Sequence, residues 1–413
     1  MNEYLHKTDP QIAQLIEREE ERQRKVLRMI PSENYASAAV LAACGSCLSN
    51  KYSEGYANAR YYQGQAIIDQ VEELGVARAK ALFGAEHANL QPYSGSPANM
   101  AVYFALLEPG DRIMGMSLPH GGHLTHGSKV SFSGRFYQAK GYPLDKETGR
   151  INYDIVADRV AEFKPKLLFC GASSYPREID FAKFGEIAHA NGAYLVADIS
   201  HISGLCITGC HPHPLPAADV ITSTTHKLLR GPRGGMVLCK KEFAPAIDAA
   251  VFPGLQGGPH NQTTAAIAVA LHEAATPEYT EYCRRVVANA KALAEGLLNR
   301  GFNLVTGGTD NHLVLIDAAA MGFGGKQLAT VLEQAGIVAN CNKIPFDTRP
   351  ANDPSGVRMG TPALTSRGMG VDEMSAIAEM IETVKDHIGD DSALAKVAAR
   401  VEELCSAFGA PGL

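Results

Sequence analysis

Between about residues 85 and 240, short apolar runs alternate with stretches at helical spacing, and this rhythm restricts the chain to few architectures. Candidate strands are His87–Gln91, Arg112–Met116, Lys166–Cys170, Tyr194–Ala197, Val220–Thr222 and Met236–Cys239, with candidate helices at Ala98–Leu107 and Phe181–Ala190. Strands that alternate with helices predict an α/β fold, a mostly parallel sheet with helices on both faces. Such sheets bind ligands at the carboxyl ends of their strands. Polar clusters fall at those ends: Ser94-Gly95-Ser96, Asp198, His201, His226 and Lys227.

At 413 residues the chain exceeds one comfortable core, so more than one domain is expected. Thr276-Pro277 reads as an N-cap with proline at the first helical position, opening a helix to Arg300 that stops at Gly301. Strand Leu313–Ile316, helix Lys326–Ala335 and strand Ile337–Ala339 then predict a smaller α+β domain. Residues 10–30 read as a charged helix with apolar Ile12, Leu15, Ile16, Leu27 and Ile30 and stabilising pairs Glu20/Arg24 and Glu21/Lys25. The expected division is an N-terminal helical arm over 1–40, a large domain over 41–275 and a small C-terminal domain over 276–413.

Bulk properties exclude several classes. Net charge is −6 with no basic cluster, so nucleic acid is not expected as a partner. The apolar stretch from Ala265 to Ala275 carries His272 and Glu273 and is too short to span a bilayer. Met1-Asn2-Glu3-Tyr4 lacks the basic and apolar regions of a secretory signal, and nine scattered cysteines fit a reducing compartment, so a cytoplasmic location is expected. Cys44-Gly-Ser-Cys47 has redox spacing but no surrounding βαβ unit, which favours core thiols. Cys206, Cys210, His211 and His213 lie in a proline-stiffened loop without a second ligand pair, which disfavours zinc.

Lys227 ends the buried-strand run Val220-Ile221-Thr222 and precedes Gly231-Pro232. Desolvation there lowers a lysine's pKa, and a neutral amine attacks an aldehyde, the chemistry of a pyridoxal-phosphate Schiff base. An ordinary surface lysine fits the local sequence equally well. Ser94-Gly95-Ser96 opens a helix with spare N–H groups and hydroxyls, which suits a phosphate or a capped turn. Asp198 at a strand end needs a cationic partner, such as a protonated pyridine nitrogen, or caps the next turn. His120-Gly-Gly-His123-Leu-Thr-His126 suits either a metal or a loop laying an imidazole on a flat ring. Arg358, flanked by apolar residues and glycines in what reads as a compact turn, suits bidentate capture of a carboxylate or a structural ion pair. Glu54, among Tyr52, Tyr56, Tyr61 and Tyr62, is an acid of raised pKa if buried and otherwise a loop glutamate.

Taken in order, these clusters resemble the serine hydroxymethyltransferase family. The matching stretches are Ser32-Glu33-Asn34, Asn50 through Tyr56, Arg60-Tyr61-Tyr62, Ser94-Gly95-Ser96, His120 through Gly127, Asp198 with His201, Thr224-Thr225-His226-Lys227, Gly231 through Gly235, Phe252-Pro253-Gly254 with Gln256-Gly257-Gly258, Gly308 through His312, and Arg358 through Pro362. The resemblance implies a fold-type I pyridoxal-phosphate transferase, with a seven-stranded, mostly parallel sheet sandwiched by helices. It implies transfer of the serine hydroxymethyl carbon to tetrahydrofolate through a cofactor aldimine on Lys227. Pyridoxal phosphate would be the cofactor, tetrahydrofolate the cosubstrate, and no metal is expected.

The resemblance also implies roles by position. Lys227, Glu54, His123, Asp198, Tyr62 and Thr224 would be catalytic. Ser94, Gly95, Ser96, Ser173, His201, His226 and Tyr52 would join His123, Asp198 and Lys227 around the cofactor, with Gly257 and Gly258 on its phosphate from a partner subunit. Ser32, Arg358, Tyr62 and Glu54 would bind the amino acid, with Tyr52, Glu54 and Tyr62 entering from the partner subunit. Glu54, Tyr61, Leu118, Gly122, Leu124 and Asn342 would bind folate. The implied assembly is a homodimer with shared active sites, or a pair of such dimers. The chain departs from the family at Ala57-Asn58-Ala59, Gln63-Gly64-Gln65, Pro31 and Ala172. The first two leave 2-methylserine transfer and folate-independent cleavage of threonine-type amino acids as alternatives, with a non-enzymatic cofactor-binding protein further off.

Overall fold

The computed structural model describes residues 2–413, and Met1 lies outside them. Its centre is a seven-stranded sheet in the order His87–Asn89, Gly235–Cys239, Val220–Thr224, Tyr194–Asp198, Leu167–Cys170, Arg112–Met116, Gln138–Tyr142. Only Gly235–Cys239 runs antiparallel to its neighbours. The inner strands are buried except at their first residues Arg112 and Tyr194, because helices cover both faces. Their side chains alternate in the two-residue period of a strand. Leu168, Leu195 and Ile221 enter one core, while Leu167, Phe169, Val196 and Val220 meet Ala98, Val102 and Tyr103 in the other.

Sequence periodicity located six of the seven strands. The seventh, Gln138–Tyr142, reads Gln-Ala-Lys-Gly-Tyr and carries no apolar run. It is one of the two edge strands, paired on one side only, so it can keep polar side chains in water.

A further core belongs to the C-terminal part. Leu313–Asp317 pairs antiparallel with Gly356–Gly360, which also pairs with Asn340–Asn342. The strand expected at Ile337–Ala339 forms as Ile337–Val338 but lies outside this sheet, pairing parallel with Leu27–Arg28. That pairing corrects the helix expected over 10–30. The helix is Pro10–Lys25, with Asp9 accepting from the Ile12 N–H, and the chain turns extended at Val26. Extended backbone sends alternate side chains to one face, so Leu27 and Met29 are fully buried in the C-terminal core. Ile12, Leu15 and Ile16 stay exposed.

The helix opened by Thr276 runs Pro277–Leu298, two residues short of Arg300, with the Thr276 side chain accepting from the Tyr279 N–H. Its first half puts Tyr279, Tyr282, Cys283 and Val286 into the core of the large sheet. Its second half puts Leu293, Ala294 and Leu297 into the C-terminal core. We propose that the two units divide along this helix, with residues 27–29 counted in the C-terminal unit. No described helix is long and apolar enough to cross a membrane.

The docking of Leu27 carries a test. Leu27→Ala should lower unfolding stability by about 2–5 kcal/mol, the range for truncating a buried leucine. The urea midpoint at fixed cofactor concentration measures it, and a loss under about 0.5 kcal/mol would be that of a surface site.

Candidate active site

The Val220–Thr224 strand ends in a loop that folds back on itself. The Gly231 N–H donates to Thr225 O at 2.8 Å, and Thr225 Oγ1 donates to Pro232 O at 2.8 Å. Lys227 sits inside this loop, and its carbonyl accepts from Asn34 Nδ2 at 3.1 Å. Asn34 also donates to Tyr282 Oη at 2.8 Å, so the Ser32–Asn34 segment ties the loop to the long helix. Gly235 is required where the returning strand passes Ser94, because a Cβ there would lie 2.3 Å from Ser94 O. Burial lowers the Lys227 pKa to about 8, with Asp198 opposing the shift and the Arg358 and Arg233 charges adding to it.

Asp198 ends the neighbouring strand and is buried. Burial alone would raise its pKa. The hydrogen bond and charge of His126, with a hydrogen bond from Ser200, outweigh burial and hold it well below the usual carboxylate range. Oδ2 accepts from His126 Nε2 at 3.0 Å and Asn99 Nδ2 at 2.9 Å, and Oδ1 accepts from the Ser200 N–H at 3.1 Å. His123 Nδ1 lies 2.8 Å from Thr125 Oγ1. Burial first, then the His126 charge, lower the His123 pKa to about 4, so its ring is neutral.

His123, His126 and Asp198 are close enough to hold a metal ion. The ring nitrogens of His126 are nonetheless committed, Nε2 to Asp198 and Nδ1 to the His123 N–H at 3.3 Å. His120 points elsewhere, its Nδ1 accepting from the Leu144 N–H. In the Cys206–His213 loop, His211 uses Nε2 for the Ile179 N–H and Nδ1 for Pro212 O. All nine cysteines are free thiols, and Cys47 is exposed rather than in a core.

Arg358 lies not in a turn but at the centre of strand Gly356–Gly360 of the C-terminal sheet, paired on both sides, and is 9% exposed. Nε donates to Asn340 Oδ1 at 3.1 Å and Nη1 donates to Ser173 O, leaving Nη2 without a partner among the described residues. Burial lowers its pKa to about 10, so it remains a cation at neutral pH. Ser94 is the N-cap of helix Gly95–Leu106 but makes no side-chain capping bond, so its hydroxyl is uncommitted. A Cβ on Gly95 would meet the Thr224 methyl at 2.6 Å. Ser173 Oγ donates to Gly122 O at 3.0 Å. Burial lowers the His226 pKa to about 3, and its Nδ1 is buried without a partner.

One cavity of about 460 Å³ collects Ser32, Ser94, Gly95, Ser96, Leu118, Gly122, His123, Leu124, Ser173, Asp198, His201, Thr224, His226, Lys227, Asn342 and Arg358. It also contains Asn99, His126, Ser200 and Arg233, to which sequence reasoning assigned no part here. His126 had a signal in the His120–His126 motif; Asn99 had none, because an asparagine inside a helix reads as surface. Tyr52, Glu54, Tyr61, Tyr62, Gly257 and Gly258 lie outside the cavity of their own chain. They gather elsewhere: a Cβ on Gly257 would lie 3.4 Å from Glu54 Oε1, and one on Gly258 would lie 3.2 Å from the Tyr52 ring. Tyr52, Tyr61 and Tyr62 are exposed. The departures in this loop are accommodated. Asn58 takes φ +63°, a left-handed conformation that asparagine tolerates, and Gln65 Nε2 donates to Tyr52 O at 3.0 Å.

Pyridoxal phosphate fits these groups. A desolvated amine meets its aldehyde chemistry, free hydroxyls at a helix N-terminus meet a phosphate, a buried carboxylate meets a ring nitrogen, and a neutral imidazole meets a flat ring. The fold and the cavity together define a fold-type I pyridoxal-phosphate enzyme. The sequence model of the serine hydroxymethyltransferase family matches residues 5–381. The chain is 57% identical to the serine hydroxymethyltransferase of Desulfotalea psychrophila, over 99% of this chain and 96% of the relative. It is 57% identical to that of Acidothermus cellulolyticus and 56% identical to that of Sorangium cellulosum, in each case over 99% of this chain and 97% of the relative. The chain belongs to the serine hydroxymethyltransferase family.

The lowered Lys227 pKa predicts a pH profile. Only the neutral amine attacks an aldehyde, so capture of a small aldehyde by cofactor-free protein should rise with pH and level off above a midpoint near 8. Borohydride trapping and mass spectrometry of the Lys227 peptide measure it. An unshifted lysine would keep rising to a midpoint of about 10.4.

Proposed function

We infer that this protein transfers the hydroxymethyl carbon of serine to tetrahydrofolate, producing glycine and methylenetetrahydrofolate, with pyridoxal phosphate as cofactor. The observation that carries this reading is the desolvated Lys227 amine in one cavity with the ionised Asp198 and the half-satisfied Arg358. The relatives' shared name supports serine over 2-methylserine or a folate-independent aldolase.

Bound pyridoxal phosphate supplies an electron sink for the pair left at the amino-acid Cα when a bond there breaks. The chain's residues prepare that event. Lys227 is the covalent attachment point, its amine kept partly neutral by burial. Asp198, held ionised by His126, Asn99 and Ser200, favours a protonated ring nitrogen. His123, neutral and tied to Thr125, offers a flat face. Ser94 and Ser96, with the N–H groups of their helix, hold the phosphate, and Gly95 allows Thr224 to pack close. Arg358 Nη2 and Ser32 hold the substrate carboxylate, and Leu118, Gly122, Leu124 and Asn342 line the side where folate enters.

We further propose that Tyr52, Glu54, Tyr61, Tyr62, Gly257 and Gly258 complete the cavity of a second copy, with Glu54 moving the proton that serine cleavage requires. Exposed tyrosines beside a half-buried carboxylate, outside their own cavity, support this, since apolar surface of this kind marks an interface. The free thiols support a reducing, cytoplasmic location.

The central test is turnover of serine, 2-methylserine and allo-threonine with and without tetrahydrofolate. Serine turnover dependent on folate is expected, and a preference for either other substrate would replace the reading. Arg358→Lys should weaken serine binding at least about tenfold while cofactor affinity stays within about threefold, because a point charge cannot replace the guanidinium fork. Equal losses of both would make Arg358 structural. Shared sites predict complementation. Lys227→Ala and Glu54→Gln homodimers should each be nearly inactive, and after subunit exchange the mixture should recover about a quarter of wild-type activity, the random-assortment value for a two-fold dimer. No recovery would place Glu54 and Lys227 within one chain.

A further inference from the structure

We propose that His312 is a positioning residue that fixes the tautomer of His201, so that His201 presents an N–H to the cavity rather than a lone pair. The inference deepens the cofactor reading above and rests on it only for what His201 faces.

His312 precedes strand Leu313–Asp317 of the C-terminal sheet and is fully buried. Its Nε2 lies 3.3 Å from His201 Nδ1, and the two rings stack with centroids 5.5 Å apart. His312 Nδ1 is buried without a partner. His201 is buried, lines the cavity, and has no protein partner on Nε2 among the described residues. Burial, followed by the charges of Lys227 and Arg358, keeps His201 neutral, and burial keeps His312 neutral.

A neutral imidazole carries one N–H. If His201 donated to His312, the His312 proton would sit on Nδ1 as an orphaned buried donor. If His312 donates from Nε2, its unpartnered Nδ1 is only an acceptor. Orphaned donors are the rarer and costlier case. The His312 proton therefore belongs on Nε2, His201 Nδ1 accepts it, and the His201 proton moves to Nε2 on the cavity side. An N–H there suits an oxygen acceptor such as a deprotonated ring hydroxyl.

The same reasoning gives a purpose to Gly308-Thr309-Asp310-Asn311-His312, which the cavity itself leaves unexplained. Thr309 Oγ1 donates to Pro176 O at 3.1 Å, Asn311 Nδ2 donates to Tyr175 O at 3.0 Å, and Asp310 pairs with Arg177 at 2.7 Å. The His312 carbonyl accepts from the Thr361 N–H at 3.1 Å. Each bond clamps the segment that delivers the His312 ring.

The test is a long-range ¹H–¹⁵N correlation on histidine-labelled holoenzyme, with His201 assigned through His201→Gln. The expected wild-type result is a protonated Nε2 and a bare Nδ1 on His201. Protonated Nδ1 in the wild type would overturn the proposal, and this readout needs no variant to fold. His312→Gln, whose amide N–H can replace the Nε2 donor, should preserve the tautomer, whereas His312→Phe should lose it; an unchanged tautomer in His312→Phe would also overturn the proposal. Cofactor affinity is the second readout. His312→Phe should weaken it about tenfold, the worth of one hydrogen bond, and His312→Gln by less than about threefold. A changed tautomer with unchanged affinity supports the role of His312 and overturns instead the placing of His201 against the cofactor.

Discussion

Asp198 is an ionised carboxylate buried at the end of a central strand, and much of the cavity exists to keep it so. A carboxylate out of water must be hydrogen-bonded or take up a proton. Its partners come from three segments: Asn99 from the helix after Ser94, His126 from the loop after Arg112–Met116, and Ser200 from its own turn. For these to reach one side chain, backbone must pass close to backbone. The loop carrying His123 folds back so tightly that a Cβ on Gly122 would lie 2.0 Å from Met116 O. Asp198 in turn moderates the loss of basicity that burial imposes on Lys227.

The cavity lies where two cores meet. Lys227 and Asp198 belong to the large sheet, whereas Arg358 rides on Gly356–Gly360 of the C-terminal sheet. The segment from Leu27 to Asn34 joins the two. Its first residues are buried in the C-terminal core, Met29 O accepts from the Gly360 N–H at 2.7 Å, and Asn34 holds the Lys227 carbonyl. The group that suits a substrate carboxylate and the amine that suits the cofactor are therefore set by different cores, locked together by a short extended strand and one asparagine.

The tyrosine loop is held by buried hydrogen bonds although much of it is exposed. The Arg60 guanidinium is nearly fully buried and donates to Ser53 O and Gly55 O, while pairing with Asp69 and Glu72. Gln91 adds a bond to Gly55 O and another to Glu72. Backbone on both sides of Glu54 is thus fixed from beneath, and Tyr52, Tyr61 and Tyr62 are presented outward. The loop owes its order to buried polar groups that are tolerated because they are hydrogen-bonded to one another.

Much of the fold could be read from the chain because strand and helix patterns depend on neighbours in sequence. The inner strands and the Thr276-Pro277 helix start carried local signals, an apolar run and a cap, and Lys227 and Asp198 stood out as charged residues at the ends of apolar runs. The edge strand Gln138–Tyr142 was hidden because an edge needs no apolar run, and Leu27–Arg28 was hidden because its partner, Ile337–Val338, lies far along the chain. Asn99, Ser200, Asn340 and His312 gave no local sign of their parts, since a polar side chain earns its role from what lies across space. Tertiary structure alone decided that His126 would bond Asp198 rather than point away with His120. Sequence spacing could not show it, because hydrogen bonds and burial depend on distances that spacing does not encode; that the tyrosine loop lies apart from the cavity of its own chain was implied only by the family resemblance, and the tertiary structure gives it its geometry.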